Sequence, residues 1–282
     1  MADTGKRVLQ LYRGDKEGGA FQTYEVETYP GMVVLDAIHD VQAKQQPDFA
    51  VRWNCKAGRC GSCSAEINGK PRLLCMTRMT KYPDGEPIVV TPMRAFPIIK
   101  DLVTDVSYNY EVAKKIPPLK PRAPEADGTW RMQQEDIDRI QEFRKCIECF
   151  LCQDVCHVIR DHQKQTSFAG PRFMIHLATL DMHPLDTLDR HKLIKEEFGA
   201  GYCNITRCCT EVCPESIQIT DNGIIPLKER VADDYFDPIR YLLRKVSGGP
   251  KKQMATLPAP VPLSRKTMAA TPVAKKKVDA DG

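Results

Sequence analysis

Twelve cysteines dominate this 282-residue chain, and they fall in three groups of four. The groups are Cys55, Cys60, Cys63 and Cys75; Cys146, Cys149, Cys152 and Cys156; and Cys203, Cys208, Cys209 and Cys213. Disulfide scaffolds are short, secreted and spread their cysteines, whereas thiolates a few residues apart surround one soft metal centre. The spacing therefore points to metal–sulfur chemistry in a reducing compartment. Cys55-x4-Cys60-x2-Cys63, with Cys75 further on, has the plant-type ferredoxin spacing for a [2Fe–2S] cluster. Gly58 and Gly61 keep side chains out of a loop that must turn tightly and aim backbone N–H groups at sulfur. A structural zinc knuckle is the alternative. It favours paired Cys-x2-Cys units, and in this group only Cys60 and Cys63 have that form.

The second group, Cys146-x2-Cys149-x2-Cys152-x3-Cys156, is the bacterial ferredoxin run, with His157 where proline usually follows. In that architecture the fourth cysteine crosses to the neighbouring cluster. The third group repeats the run with Thr206 in the second slot: Cys203-x2-Thr206-x2-Cys209-x3-Cys213-Pro214. The crossover rule then expects Cys146, Cys149, Cys152 and Cys213 around a [4Fe–4S] cluster. Cys156, Cys203 and Cys209 form a cage short of one thiolate, the setting for a [3Fe–4S] cluster. Cys208 lies outside the pattern and is expected to be a packed free thiol.

These loops need elements to carry them. Arg7–Arg13 and Ala20–Thr28 alternate as strands around a glycine turn and read as a hairpin. Met32–Gln42 places Val34, Ile38 and Val41 at helical spacing. Ser64–Ile67 and Arg72–Cys75 flank an Asn68-Gly69 hairpin turn, and Ile88–Val90 is a last strand. From Ile98 the pattern turns helical, with Ile99, Leu102, Val103 and Val106 on one face. A proline-rich crossing from Ile116 to Pro124 reads as extended. Helices are expected at Gln133–Lys145, Gly170–Thr179, Asp189–Phe198 and Asp234–Lys245. The domains expected are 1–105, a mixed sheet holding one helix; 106–247, helical; and 248–282, a disordered tail rich in Pro, Ala and Lys.

The net charge of +4 does not indicate a nucleic-acid partner. The stretch from Gly249 to Gly282 carries +5 and everything before it sums to −1, so the folded body lacks a basic face for a phosphate backbone. No apolar run approaches the roughly 18 residues that span a bilayer. The N-terminus lacks a signal or transit pattern, so the chain is expected to be mature from its start. No side-chain grouping offers acid/base chemistry; catalytic residues are expected to be none, with substrate chemistry in a partner.

The chain resembles the iron–sulfur subunits of succinate dehydrogenases and fumarate reductases. The matching stretches are Cys55-Lys-Ala-Gly-Arg-Cys-Gly-Ser-Cys63, Phe96-Pro-Ile-Ile-Lys-Asp-Leu-Val103, Cys146-Ile-Glu-Cys149 and Cys203 to Pro214. The resemblance spans residues 5–240. It implies an α+β chain: a β-grasp [2Fe–2S] ferredoxin domain, then an all-helical bacterial-ferredoxin-like domain with [4Fe–4S] and [3Fe–4S] clusters. It implies a flavoprotein partner with FAD at the succinate/fumarate site, transmembrane anchor subunits, and quinone at the anchor interface, with haem as an option in the partner subunits. Electrons would pass from FAD through [2Fe–2S], [4Fe–4S] and [3Fe–4S] in that order. The location implied is the cytoplasmic face of the bacterial inner membrane, held there through the anchor. Two positions depart from the family pattern: Asn204 where many members have His, and Asp161 in a region where many have Trp. With His157, they are the quinone-site candidates. The rival readings are the electron-transfer subunit of another flavin enzyme, which would be expected to add cysteines after Cys213, and a zinc-binding interaction protein.

Overall fold

The computed structural model describes residues 5–239, 242 and 253–255. The chain separates into two compact units, one ending at Val106 and the other beginning at Ser107.

The first unit is a mixed sheet gripping one helix. Strands β1 (Lys6–Asp15) and β2 (Gly18–Glu27) form an antiparallel hairpin in register from Lys6↔Glu27 to Asp15↔Gly18. Helix α1 (Val34–Lys44) follows, then β3 (Ser64–Ile67), β4 (Lys70–Leu73), β5 (Ile88–Thr91), β6 (Ile98–Lys100) and β7 (Val103–Thr104). The sheet order is β4-β3-β5-β1-β6-β7, with β2 also on β1; β1 and β5 run parallel and the other pairs antiparallel. In α1, Val34, Leu35, Ile38 and Val41 are fully buried, as are Leu9, Leu11, Ile88 and Val90 in the sheet. A helix starts there because that apolar stripe recurs with the helical period, and because the Asp36 carboxylate accepts the otherwise free Val33 N–H at 3.3 Å. Asn68 and Gly69, at φ 47° and 74°, make the left-handed pair that closes the β3–β4 hairpin.

The end of this unit differs from expectation. Residues 98–106 are not helical: β6 and β7 pair as a hairpin, and the first helix beyond them, α2 (Ser107–Lys114), starts at Ser107. The cause is Asp101, at φ 49° and almost fully buried. Its carboxylate accepts Arg13 Nε at 2.9 Å, Gly14 N–H at 3.1 Å and Ala50 N–H at 2.8 Å. Those three bonds hold a turn where apolar spacing alone suggested a helix face.

The second unit is mainly helical. Its elements are α2, α3 (Gln134–Gln141) with a 3-10 turn at Glu142–Lys145, the one-turn helices α4 (Leu151–Asp154) and α5 (His157–Arg160), and α6 (Pro171–Asp181). A short β8 (Leu188–Asp189), a π-helical turn Leu193–Glu197, a 3-10 turn Ala200–Tyr202, one-turn α7 (Cys208–Glu211), a second π-helical turn Ile219–Ile224, α8 (Ile225–Phe236) and β9 (Gln253–Met254) follow. The core gathers Phe143, Leu151, Phe173, Leu177, Ile194, Ile217 and Leu227. The proline-rich crossing is held by fully buried Arg190. Its guanidinium donates to Asp186 at 2.7 Å and to the carbonyls of Pro117 and Pro118 at 2.7 and 3.0 Å.

Three further expectations are corrected. The stretch 189–198 is a short strand followed by a π-helical turn rather than one helix. The helix expected at Asp234–Lys245 is broken at Asp237: α8 runs from Ile225 to Phe236, with Pro226 in its first turn where proline costs no hydrogen bond, and residues 238, 239 and 242 are helical again, the others of that span lying outside the described residues. The unit is also not purely helical, because β9 pairs in parallel with β8. That pairing orders Gln253–Ala255, part of the stretch expected to be disordered; the rest of the expected tail lies outside the described residues.

Candidate metal centres

The loop of the first group is built on left-handed backbone: Lys56, Gly58 and Gly61 have φ of 55°, 68° and 69°. A Cβ on Gly58 would lie 2.9 Å from the Met76 side chain. The winding turns amides inward. Ala57 and Arg59 N–H donate to Cys55 Sγ at 3.4 and 3.2 Å, and Cys55 N–H donates to Cys60 Sγ at 3.5 Å. Cys75 arrives on a 3-10 turn, Leu74–Met76, rather than on the expected strand, which ends at Leu73. Leu74 N–H donates to the Cys63 carbonyl at 3.0 Å and ties that turn to the loop. Burial, reinforced by the nearby sulfurs of Cys75 and Cys60, pushes the Cys63 thiol up to about 12. Burial also opposes ionisation of Cys60, but hydrogen bonds from Ser62 and Cys55 outweigh it and hold this thiol at about 6. Exposed Trp53 sits nearby between His39, ring centroids 4.8 Å apart, and the Lys56 ammonium, 4.7 Å from its ring.

The second and third groups share one backbone. Glu148 and Phe150 have φ of 56° and 60°; Ile205 and Arg207, at the same places in the third run, have 61° and 62°. Left-handed conformations cost bulky residues energy, most of all a β-branched one such as Ile205, so their recurrence marks a shape the site requires. Each run then makes a single helical turn, α4 or α7. Asp154 N–H bonds the Phe150 carbonyl at 3.0 Å, and Glu211 N–H bonds the Arg207 carbonyl at 3.1 Å. Cys156 and Cys213 close their runs with matching bonds, to the Gln153 and Thr210 carbonyls, both at 3.3 Å. Thr206 thus occupies the backbone place of Cys149, and Cys208 that of Leu151.

The crossover of fourth cysteines is visible in space. Cys146, Cys149, Cys152 and Cys213 line one cavity, walled by Phe150, Ile175, Ile217 and Ile219. Burial pushes Cys149 up to about 12, with the charges of Cys146 and Cys213 adding to it. Cys156, Cys203, Cys208 and Cys209 gather separately. Burial drives Cys209 to about 12 and Cys156 to about 11, with the neighbouring sulfurs of Cys208 and Cys203 adding to it in each case. Thr220 Oγ1 lies 3.4 Å from Cys209 Sγ and 3.2 Å from Thr210 Oγ1. Neither threonine stood out in the sequence; their only signal is their position in and beside the third run.

Four converging thiols, inward amides and apolar walls fit iron–sulfur clusters. Thiols held protonated by burial become ligands only when a cation takes the place of their protons, which is the usual coupling of metal binding to deprotonation. Of the quinone-site candidates, His157 and Asn204 each adjoin a cysteine of the third gathering. Asp161 is exposed, 3.4 Å from Arg160. The stretch beside Cys203 is open, with Tyr202 and Ile205 52% and 39% exposed, and Lys228 Nζ donates to the Cys203 carbonyl at 2.6 Å.

Such a chain is an iron–sulfur electron carrier of two ferredoxin-type domains. Residues 7–111 match the 2Fe-2S iron-sulfur cluster binding domain, and residues 142–217 the 4Fe-4S dicluster domain. The chain is 33% identical over 226 residues to the fumarate reductase iron-sulfur subunit of Mycobacterium tuberculosis, covering 77% of this chain and 89% of that one. It is 28% identical to the succinate dehydrogenase iron-sulfur subunit of Bacillus subtilis, covering 71% and 81%. A chain of the solved Mycobacterium smegmatis Sdh1 complex in the apo form superposes with a TM-score of 0.81 at 62% identity, over 84% of this chain and 99% of that one. The chain belongs to the family of succinate dehydrogenase and fumarate reductase iron–sulfur subunits. It is the electron-transfer part of an oxidoreductase complex and carries 2Fe-2S and 4Fe-4S cluster domains. No helix among the described residues is long and apolar enough to cross a membrane.

Proposed function

We propose that the chain connects the FAD of a flavoprotein subunit, where succinate and fumarate interconvert, to quinone held by a transmembrane anchor at the cytoplasmic face of the bacterial inner membrane. Bound clusters supply reversible one-electron transfer; the chain's own residues hold them, tune them and keep water out. Cys55, Cys60, Cys63 and Cys75 hold [2Fe–2S]. Cys146, Cys149, Cys152 and Cys213 hold [4Fe–4S], and Cys156, Cys203 and Cys209 hold [3Fe–4S]. Any haem belongs to the anchor. The domain limits 1–105, 106–247 and 248–282 are kept as the working division.

The observation that carries this reading is the repeated backbone of the two runs, which puts a threonine hydroxyl where the fourth thiolate of the third cage would stand. A neutral hydroxyl is a poor iron ligand beside thiolates. The open stretch Tyr202–Arg207 next to that cage offers an apolar and cationic face to the anchor, with Asn204, His157 and Asp161 near the quinone. The test is electron paramagnetic resonance of the air-oxidised complex. An oxidised [3Fe–4S] signal in amounts matching the [2Fe–2S] signal of the reduced sample is expected. Its absence, even after ferricyanide, would overturn the assignment of the third centre. Asn204→Ala should raise the KM for quinone severalfold while leaving electron transfer from succinate to an artificial flavin-site acceptor unchanged; an unchanged quinone KM removes Asn204 from the site.

A further inference from the structure

The third gathering holds four sulfurs, not three. Cys208, at the start of α7, is half-buried, and its Sγ lies 3.3 Å from Thr206 Oγ1. That hydroxyl marks the slot of the missing ligand, because Thr206 has the backbone place of Cys149 between two left-handed residues. At the position in the second run that corresponds to Cys208 stands Leu151, buried to 1% exposure and without a ligand atom; Cys208 does carry one. Its sulfur lies, with that of Cys203, within electrostatic reach of Cys156 and of Cys209. Asn204, Ile205, Thr206 and Arg207 are all exposed, so this corner lies at the surface of the chain rather than in its core.

We propose that Cys208 is a conditional fourth ligand, through which the third centre takes up Fe2+ and converts from [3Fe–4S] to [4Fe–4S]. This rests on the assignment of Cys156, Cys203 and Cys209 to that centre. The chemistry balances. One electron delivered from the flavin side reduces [3Fe–4S]+ to [3Fe–4S]0. Fe2+ then adds to give [4Fe–4S]2+ with no further electron change, while the Cys208 thiol forms an Fe–S bond and releases its proton to solvent. In reverse, an oxidant such as ferricyanide removes one electron, Fe2+ leaves, the core returns to [3Fe–4S]+ and Cys208 regains a proton. The potential of a cluster follows its type and net charge, so the added thiolate and iron lower it and slow delivery to quinone. Iron supply thereby sets the output of the complex at its last centre.

The experiment uses the intact complex with its partner subunits. Its [3Fe–4S]+ resonance is measured before and after anaerobic dithionite reduction with Fe2+, removal of free iron and reoxidation by a quinone. The wild type should lose most of the signal, gain about one iron per chain, and recover the signal with ferricyanide. Cys208→Ala should keep the signal, with the Fe2+ concentration for half-conversion raised by about 10–100-fold, the range seen when even an indirect partner of a metal ligand is removed. Cys208→Ser, nearly isosteric, controls for packing, and the signals of the other two clusters report folding in every sample. Uptake by both variants at wild-type Fe2+ concentrations overturns the proposal, and so does a wild type that takes up no iron. If neither wild type nor variants display [3Fe–4S]+ even after ferricyanide, the assignment of the third centre itself fails and the proposal falls with it.

Discussion

His191 should make the helical unit lose stability as pH rises from neutral to alkaline. Its ring stands between α6 and α8, with Nε2 3.2 Å from Asp181 Oδ1 and Nδ1 hydrogen-bonded to Asp234 Oδ2. Asp189 of β8 lies 3.9 Å away, and Arg230 of α8 is 3.4 Å from Asp181. Asp189, His191 and Asp234 crowd closely enough to hold a cation. With both ring nitrogens donating to carboxylates, the imidazolium is itself that cation. Burial lowers its pKa, but the hydrogen bonds and charges of Asp181 and Asp234 outweigh burial and raise it from 6.5 to about 9. Such a rise is worth roughly 3 kcal/mol at full strength, and solvent at the open side of the ring reduces this to about 1–2 kcal/mol. Because the folded pKa is the higher one, the contribution is complete below 6.5, declines as pH rises, and is gone once pH passes about 9. His191→Gln should therefore melt roughly 2–8 °C below wild type near pH 6, at about 2–4 °C per kcal/mol for a domain of this size, and match it near pH 10. The assay is anaerobic thermal bleaching of cluster absorbance in the complex across that range. A gap between the two proteins that stays constant with pH would refute the reasoning.

Arg190→Met should destabilise the helical unit by about 3–5 kcal/mol, the cost of stranding one partner of a buried pair, since two proline carbonyls lose their donor and Asp186 keeps only the Lys120 N–H at 3.1 Å; chemical denaturation of the complex followed by circular dichroism measures it. Thr206→Cys should fill the empty slot and give a second [4Fe–4S] cluster, seen as loss of the oxidised [3Fe–4S] resonance and a lower midpoint potential for that centre; retention of the signal would contradict the template match. Gly199→Ala should cost about 2–4 kcal/mol, combining a left-handed φ of 63° with a Cβ 1.8 Å from the Ser167 carbonyl oxygen. Because Gly199 immediately precedes the turn that leads into Cys203, the third centre should be the first of the clusters lost on warming.

The cluster loops were legible because ligand spacing is local: thiols that share a metal must lie within a few residues or return at a fixed turn. Even the crossover of Cys213 into the cavity of Cys146 could be read, as it follows from the shape of the run rather than from distant packing. What escaped were features decided by single buried polar groups. Asp101 converts an apolar, helix-spaced stretch into a hairpin through three hydrogen bonds from partners far away in sequence. At the site, the spacing marked Cys208 as a bystander, whereas the fold turns its sulfur toward the very slot that Thr206 leaves without a thiol.

The cavity shared by Cys146, Cys149, Cys152 and Cys213 has a consequence for how the chain is made. Cys55 to Cys75 emerge from the ribosome together, and that loop has all its thiols before half the chain exists. The other two gatherings are interlocked: Cys156, from the earlier run, belongs with the later thiols, and Cys213, from the later run, belongs with the earlier ones. The later one is complete only once Cys209 has been synthesised and the earlier one only once Cys213 has, and each then pins the segment that completes the other. Loading of the helical unit is accordingly a late and joint event, in which a nascent chain stalled before Cys203 offers a scavenging thiol or stray zinc four unfinished cysteines.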